Sequence, residues 1–194
     1  MEKDNLYKEN NKYWMGRAEG YSKVNKEELD GIQRKTWSKL FKETIETHIL
    51  EKAENICILD IGAGPGFISI ILTELGYHVT AADFAENMLL EAKSNAGILA
   101  ERISFVHQDA MNLSFKDEVF DVVVSRNLTW NLPDPKKAYS EWLRVLKKGG
   151  MLLNFDANWY SYLGDEEQRI ATKGIAKVLR RQSLRIITSV KTSM

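Results

Sequence analysis

Three glycines and a carboxylate carry the clearest chemistry in this sequence. Asp60 closes the apolar part of "ILDIGAGPGF" (58–67), and Gly62, Gly64 and Gly66 follow it, each separated by one residue. Glycines packed this closely after a strand let a ligand press against bare backbone. A dinucleotide loop places its third glycine three positions after its second, for close helix–strand packing. That position here is Phe67. Pro65 removes a backbone donor that a pyrophosphate would use. The Gly-Lys-Ser/Thr ending of a phosphate-cradling loop is absent. A carboxylate at position 60 repels an anion and suits an ammonium or sulfonium group. The loop therefore reads as a cradle for a cationic, phosphate-free ligand.

Other reactive side chains offer less. Cys57, the single cysteine, lies inside the apolar run Ile56–Ile61, the setting of a buried reduced thiol rather than a nucleophile. No cysteine/histidine cluster has metal-ligand spacing, so no metal is expected. His48, His78 and His107 are candidate bases by residue type alone, and each reads more readily as a structural or surface histidine.

The elements that must position the loop follow from periodicity. Residues 1–25 are polar yet include Tyr7, Tyr13, Trp14 and Tyr21, which predicts an aromatic-rich segment that packs down on the rest. From Lys26 to about Ala53, apolar residues recur at three- and four-residue steps, a helical pattern. Strands are expected at Asn55–Ile61, His78–Asp83, Ile103–Asp109, Phe120–Ser125 and Met151–Asp156. Helices are expected at Phe67–Leu75 and Glu86–Asn95, and from an Asp134 N-cap with Pro135 at the first helical position to Gly149–Gly150. This alternation predicts an α/β fold: a Rossmann-like, doubly wound, mostly parallel sheet of five to six strands with helices on both faces. The expected organisation is a cap segment at 1–25, a binding domain at 26–160, and a basic segment of the same domain at 161–194. From Gln168 onward there are seven basic residues and no acidic one. A helix at about 166–181 and a short strand at Leu184–Val190 are expected there.

Bulk composition excludes some partners. Lys+Arg and Asp+Glu balance at 27 each across 194 residues. Net charge thus gives no support for a nucleic acid or an anionic membrane as partner. The polar N-terminus is no secretory signal and no apolar stretch reaches membrane-spanning length, which predicts a cytoplasmic protein.

Four segments in order resemble the class I S-adenosylmethionine-dependent methyltransferases, in particular their type 11-like, small-molecule branch, over roughly residues 13–160. "ILDIGAGPG" resembles the family's first motif and "VTAADFAENML" (79–89) its second. "FVHQDAMNLSF" (105–115) resembles the third-strand segment. "FDVVVSRNLTWNLPDPKKAYSEWLRVLKKGG" (120–150) resembles the fourth strand, its loop and the turn before strand five, with Lys148 where that turn often has proline.

The resemblance implies S-adenosyl-L-methionine as cofactor and an in-line transfer of its methyl group to a small-molecule acceptor. It places Gly62, Ala63, Gly64 and Gly66 against the methionine portion and ribose. Asp60 would orient loop amides and favour the amino group, and Asp83 would accept both ribose hydroxyls. Phe84 and Met88 would line the adenine pocket, with Asp109 accepting from the exocyclic amine and the Ala110 backbone meeting the ring. Asn127 lies where methyl group and acceptor meet, flanked by Ser125 and by Arg126, which either serves there or forms an ion pair. These two, Asn127 and Arg126, are the candidate catalytic residues. Trp14, Arg17 and Tyr21 resemble a segment that caps the cofactor; Tyr21 offers an aromatic face to a sulfonium, and Arg17 a partner for the methionine carboxylate. Trp130 either lines the acceptor pocket or makes a general lid contact. "SRNL" (125–128) is not the Asn/Asp-Pro-Pro-aromatic run of nucleobase-methylating enzymes, which argues against DNA.

The family sheet has seven strands, and after strand five only "LRIITSV" reads as a strand. The expectation is a C-terminally shortened methyltransferase whose sheet lacks part of the usual seven strands. An apolar sheet edge left open would favour a homodimer. Two alternatives stand beside it: a cofactor-binding remnant without activity, and an NAD-dependent oxidoreductase, disfavoured by Phe67 and by the glycine spacing.

Overall fold

The computed structural model describes residues 2–157 and 184–187, with side chains over 8–156. Two helices open the chain, α1 (Glu2–Asp30) and α2 (Ile32–His48), separated at Gly31. Trp37, Phe41 and Ile45 form the buried stripe of α2, at the expected four-residue step. The segment expected as a packed-down cap is itself helix, running without a break from Glu2. Its inward stripe is Trp14, Ala18, Ser22 and Asn25, of which the last three are buried. The spacing is helical, but two of the four are small polar residues, so hydrophobic periodicity is faint there.

Next come β1 (Cys57–Ile61), α3 (Phe67–Glu74), β2 (His78–Asp83), α4 (Glu86–Ala96), β3 (Ile103–His107), β4 (Phe120–Arg126), α5 (Pro135–Val145), β5 (Leu146–Ala157) and β6 (Leu184–Ile187). They build one sheet in the order β3-β2-β1-β4-β5-β6, with β1 to β5 parallel and β6 antiparallel to β5. The expected α/β, Rossmann-like sheet is therefore present, with five parallel strands and a sixth at the edge. The described strand β6 covers part of the expected Leu184–Val190. The expected helix at 166–181 lies outside the described residues.

The strands alternate between two cores. Ile58, Val79, Ala81, Val122, Val124 and Leu153 pack with α2 and α3 on one face. Leu59, Ile61, Val123 and Leu152 pack with Ala138, Trp142 and Val145 of α5 on the other. Every residue of α3 from Phe67 to Thr73 is buried, as befits a helix wrapped by neighbours on all sides. Asp134 caps α5 as expected, accepting the Lys137 N–H at 3.1 Å, with Pro135 following.

One boundary differs by several residues. The helix expected to reach Gly149–Gly150 ends at Val145, and β5 begins at Leu146. Lys147 Nζ lies 2.9 Å from both oxygens of Asp121 on β4, and the β4–β5 register shifts between Phe120 and Val122. The extra residues of "LKKGG" form an irregularity in the strand rather than a last helical turn.

Candidate functional site

The strand order reverses between β1 and β4, and ligands of open α/β sheets bind at the carboxyl ends of strands beside such a switch. The glycine loop sits there. Gly62 and Ala63 both donate to the Ala82 carbonyl, at 2.8 and 3.0 Å, which ties the loop to the end of β2. Gly62 has φ +70°, and a Cβ on it would lie 2.8 Å from Leu128. Gly66 has φ +90°, and a Cβ there would lie 3.0 Å from that of Ala92, so Gly66 lets α3 approach α4. By contrast, Gly64 has nothing within 4 Å of the corresponding point and faces open space.

Asp83 joins this loop to the next element. Its Oδ2 accepts the Gly64 N–H at 2.9 Å, and its Oδ1 accepts the Ala85 N–H at 2.8 Å. Burial pushes its carboxyl above the usual range, while the amides of Ala85, Gly64 and Phe84 act in the opposite sense. Two oxygens offer about four lone-pair directions, so a ligand hydroxyl can still be received.

An open cleft lies over these groups. Of the sequence-expected residues, Gly62, Gly64, Asp83, Phe84 and Met88 line it. So do Asp109, Ala110, Arg126, Asn127 and Tyr21. Asp109 Oδ1 accepts the Met111 N–H at 2.8 Å, which fixes the turn after β3. Asn127 has φ +58°, uncommon for a residue with a side chain. Its N–H donates to the Phe155 carbonyl and its own carbonyl accepts from Trp130 Nε1 at 2.9 Å.

Four of the residues expected against the cofactor do not line the cleft. Asp60 is 1% exposed and points toward α3, where its Oδ2 accepts from Ser69 Oγ at 2.5 Å. It holds the helix after the loop rather than loop amides. Burial pushes its carboxyl up to about 7, with the Ser69 hydrogen bond opposing and the nearby Asp83 adding to the rise. Ala63 and Gly66 serve the turn. Arg17 is on the exposed side of α1, with its guanidinium 6.0 Å from the Tyr13 ring.

Arg126 lines the cleft in an ion pair. Its Nη1 and Nη2 donate to Glu28 Oε2 and Oε1 at 3.0 and 2.7 Å, and its guanidinium lies 4.6 Å from the Phe67 ring and 5.2 Å from that of Trp37. Trp130 stands outside the lining, edge-on to Trp14 at 6.3 Å. His107 Nε2 lies 2.8 Å from the Phe84 carbonyl, and its ring stacks on Phe84. It thereby supports a lining residue without lining the cleft itself. His48 and His78 are exposed, away from it.

One wall of the cleft was not expected from the sequence. Asn10 and Asn11 line it from α1, and Leu128, Asn131, Leu132 and Pro133 line it from the segment after β4. The available signal was helical phase: Asn10 and Asn11 precede Trp14 by four and three residues, so they share its face. Among the described residues, no group of three His, Cys, Asp or Glu could hold a metal, and no helix is long and apolar enough to cross a membrane.

Residues 59–154 match the family model described as methyltransferase domain. A demethylmenaquinone methyltransferase of Clavibacter sepedonicus is 44% identical over 97 residues, covering 50% of this chain and 39% of the relative. One of Staphylococcus epidermidis is 40% identical over 124 residues, covering 62% of this chain and 49% of the relative. The chain thus spans about half the length, or less, of these curated relatives. Among solved structures, a Methanococcus maripaludis protein named as a candidate S-adenosylmethionine-dependent methyltransferase superposes with a TM-score of 0.62 at 27% identity. That match covers 81% of this chain and 70% of the other.

Proposed function

We propose that the cleft of this chain, whose residues 59–154 match the methyltransferase-domain model, binds S-adenosyl-L-methionine and transfers the methyl group to a small-molecule acceptor. The observation that carries the reading is the shared position of Asp83 and Gly64: a carboxylate and a bare stretch of backbone, 2.9 Å apart, facing one cleft. The residues fit the cofactor. Gly64 leaves its side of the loop open, Asp83 keeps lone pairs for hydroxyl groups, and Phe84, Met88 and Ala110 offer apolar surface to a purine. Asp109 sits beside them for an exocyclic amine.

A bound sulfonium supplies an electrophilic methyl carbon and loses its positive charge as the methyl group leaves. The work left to the protein is alignment and exclusion of water. Asn127, held at φ +58° by its backbone bond to Phe155, orients the floor of the cleft at the end of β4. Helix α1 closes the top through Asn10, Asn11, Trp14 and Tyr21. In this reading α1 belongs functionally with residues 26–160, and the basic segment 161–194 is assigned to the same domain. The protein works in the cytoplasm. A homodimer through a sheet edge is the expected assembly, which light scattering tests.

The names of the two curated relatives support a quinone-like acceptor as the finer reading. The apolar surface of Leu128, Leu132 and Pro133 suits such a molecule.

Thermal unfolding with added ligand tests the proposal, because a ligand of the folded state raises its stability by mass action. S-adenosylmethionine and S-adenosylhomocysteine should each raise Tm, and NAD should not. A rise with NAD alone would replace the reading with an oxidoreductase.

A further inference from the structure

The wall of the cleft made by α1 contains an unsatisfied polar atom. Asn11 Oδ1 is buried and accepts no hydrogen bond. Its neighbour Asn10 donates through Nδ2 to the Asn131 carbonyl at 2.9 Å, which fixes this turn of α1 over the segment after β4. The next turn reaches α4, where Asn87 Nδ2 donates to the Met15 carbonyl at 3.1 Å. Asn11 lines the same cleft from α1, one position beyond the residue tied to the segment after β4.

A buried acceptor left without a donor costs free energy, and native folds rarely leave one unmatched. Trp14, Leu128, Leu132 and Pro133 add apolar surface to the same cleft. Charge is scarce there. The charged residues lining the cleft are Asp83, Asp109 and Arg126, and the guanidinium of Arg126 is paired with Glu28 through two hydrogen bonds. Among the described lining residues, a carboxylate or phosphate on an acceptor would find no free cation.

From this juxtaposition we infer that Asn11 is a specificity residue of the acceptor subsite, receiving a hydrogen bond from an O–H or N–H donor on an uncharged, apolar acceptor. The inference rests on the reading of the cleft as a methyltransferase site. The subsite accepts a flat apolar body against Trp14 and Leu128. It rejects the analogue whose donor is capped, because Asn11 Oδ1 then stays buried and unpaired.

Probe binding tests it, by calorimetry with 1-naphthol, 1-methoxynaphthalene and 1-naphthoate, each with and without saturating S-adenosylhomocysteine. The wild-type chain should bind 1-naphthol about tenfold more tightly than 1-methoxynaphthalene, as expected for one buried acceptor gaining its partner, and 1-naphthoate more weakly than 1-naphthol. Asn11→Leu should weaken 1-naphthol to the level of the methoxy compound and leave S-adenosylhomocysteine affinity within about twofold. Asn11→Asp, which keeps an acceptor oxygen, should retain the preference for naphthol over its methyl ether. Equal wild-type affinity for naphthol and methoxynaphthalene, no binding of naphthol, or preference for naphthoate would overturn the inference. So would a fall in S-adenosylhomocysteine affinity as large as that for naphthol in Asn11→Leu. Absence of S-adenosylhomocysteine binding to the wild type would sink the methyltransferase reading instead. The naphthol comparison without that ligand still decides the role of Asn11.

Discussion

The Asp83 carboxylate accepts the Gly64 N–H at 2.9 Å, although 19 residues separate the two in sequence. Through its other oxygen it also holds the Ala85 N–H, at the entry to α4. One side chain thus fixes the glycine loop after β1 and the turn after β2 against each other. Both turns line the cleft, so whatever disturbs Asp83 disturbs the shape of the site as well as its chemistry.

The glycines of the loop should separate stability from affinity. Gly62→Ala places a Cβ 2.8 Å from Leu128 at φ +70°, so it should destabilise the fold by about 1–3 kcal/mol. Gly64→Ala meets no protein atom, and its new methyl group faces the ligand's space. It should lower S-adenosylhomocysteine affinity by at least about tenfold. Its stability loss, from the strained φ of +54° alone, should be smaller than that of Gly62→Ala. Urea unfolding and calorimetry on the two variants check both halves.

Glu28→Gln should cost about 1–3 kcal/mol of folding stability. Removing one partner of a fully buried pair costs more, but here the side chains keep 12% and 21% of their surface for Arg126 and Glu28. The guanidinium remains stacked beside Trp37 and Phe67. Denaturant titration checks the loss; a change below about 0.3 kcal/mol would mean that the pair contributes no more than a weak surface bridge.

Stability should fall with rising pH through the window that Asp60 controls. Its carboxyl titrates near 3.8 when unfolded and at about 7 when folded. Between those values the folded chain holds a proton that the unfolded chain has released, so raising the pH favours unfolding. Above about 7 the penalty is complete. Asp60→Asn removes this slope, so its advantage over wild type should grow from pH 4 to pH 7 and then level off. Asp83 shifts in the same direction but is present in both proteins. Unfolding midpoints of the two proteins at several pH values check the trend.

Much of the sheet was legible because its strands and helices repeat at clean periods. His78–Asp83 is observed with the bounds expected of it, and Asp134–Pro135 starts α5 as its chemistry requires. The glycine loop was legible because Phe67 and Pro65 exclude phosphate-type cradles. The lid was legible only in part. Trp14 and Tyr21, two aromatic residues expected in a cap, line the cleft, but the inward stripe also includes Ser22 and Asn25, and Asn10 and Asn11 line the cleft beside them, residues that read as polar surface in sequence. The partner of Arg126 was equally invisible. Glu28 lies 98 positions away, and only the closure of α1 onto the sheet brings them together. For Asp60 the spacing indicated a carboxylate at the loop, whereas strand alternation turned it to the opposite face, toward Ser69.

The most direct test of the central claim is calorimetric titration of S-adenosylhomocysteine into the wild-type chain and into Asp83→Ala. The predicted result is saturable one-to-one binding to the wild type, with affinity at least about tenfold lower in the variant, the loss of charge-assisted hydrogen bonds to ribose hydroxyls. Unchanged affinity in a variant that still unfolds cooperatively would contradict the assignment of Asp83. No binding to the wild type would contradict the reading of the cleft.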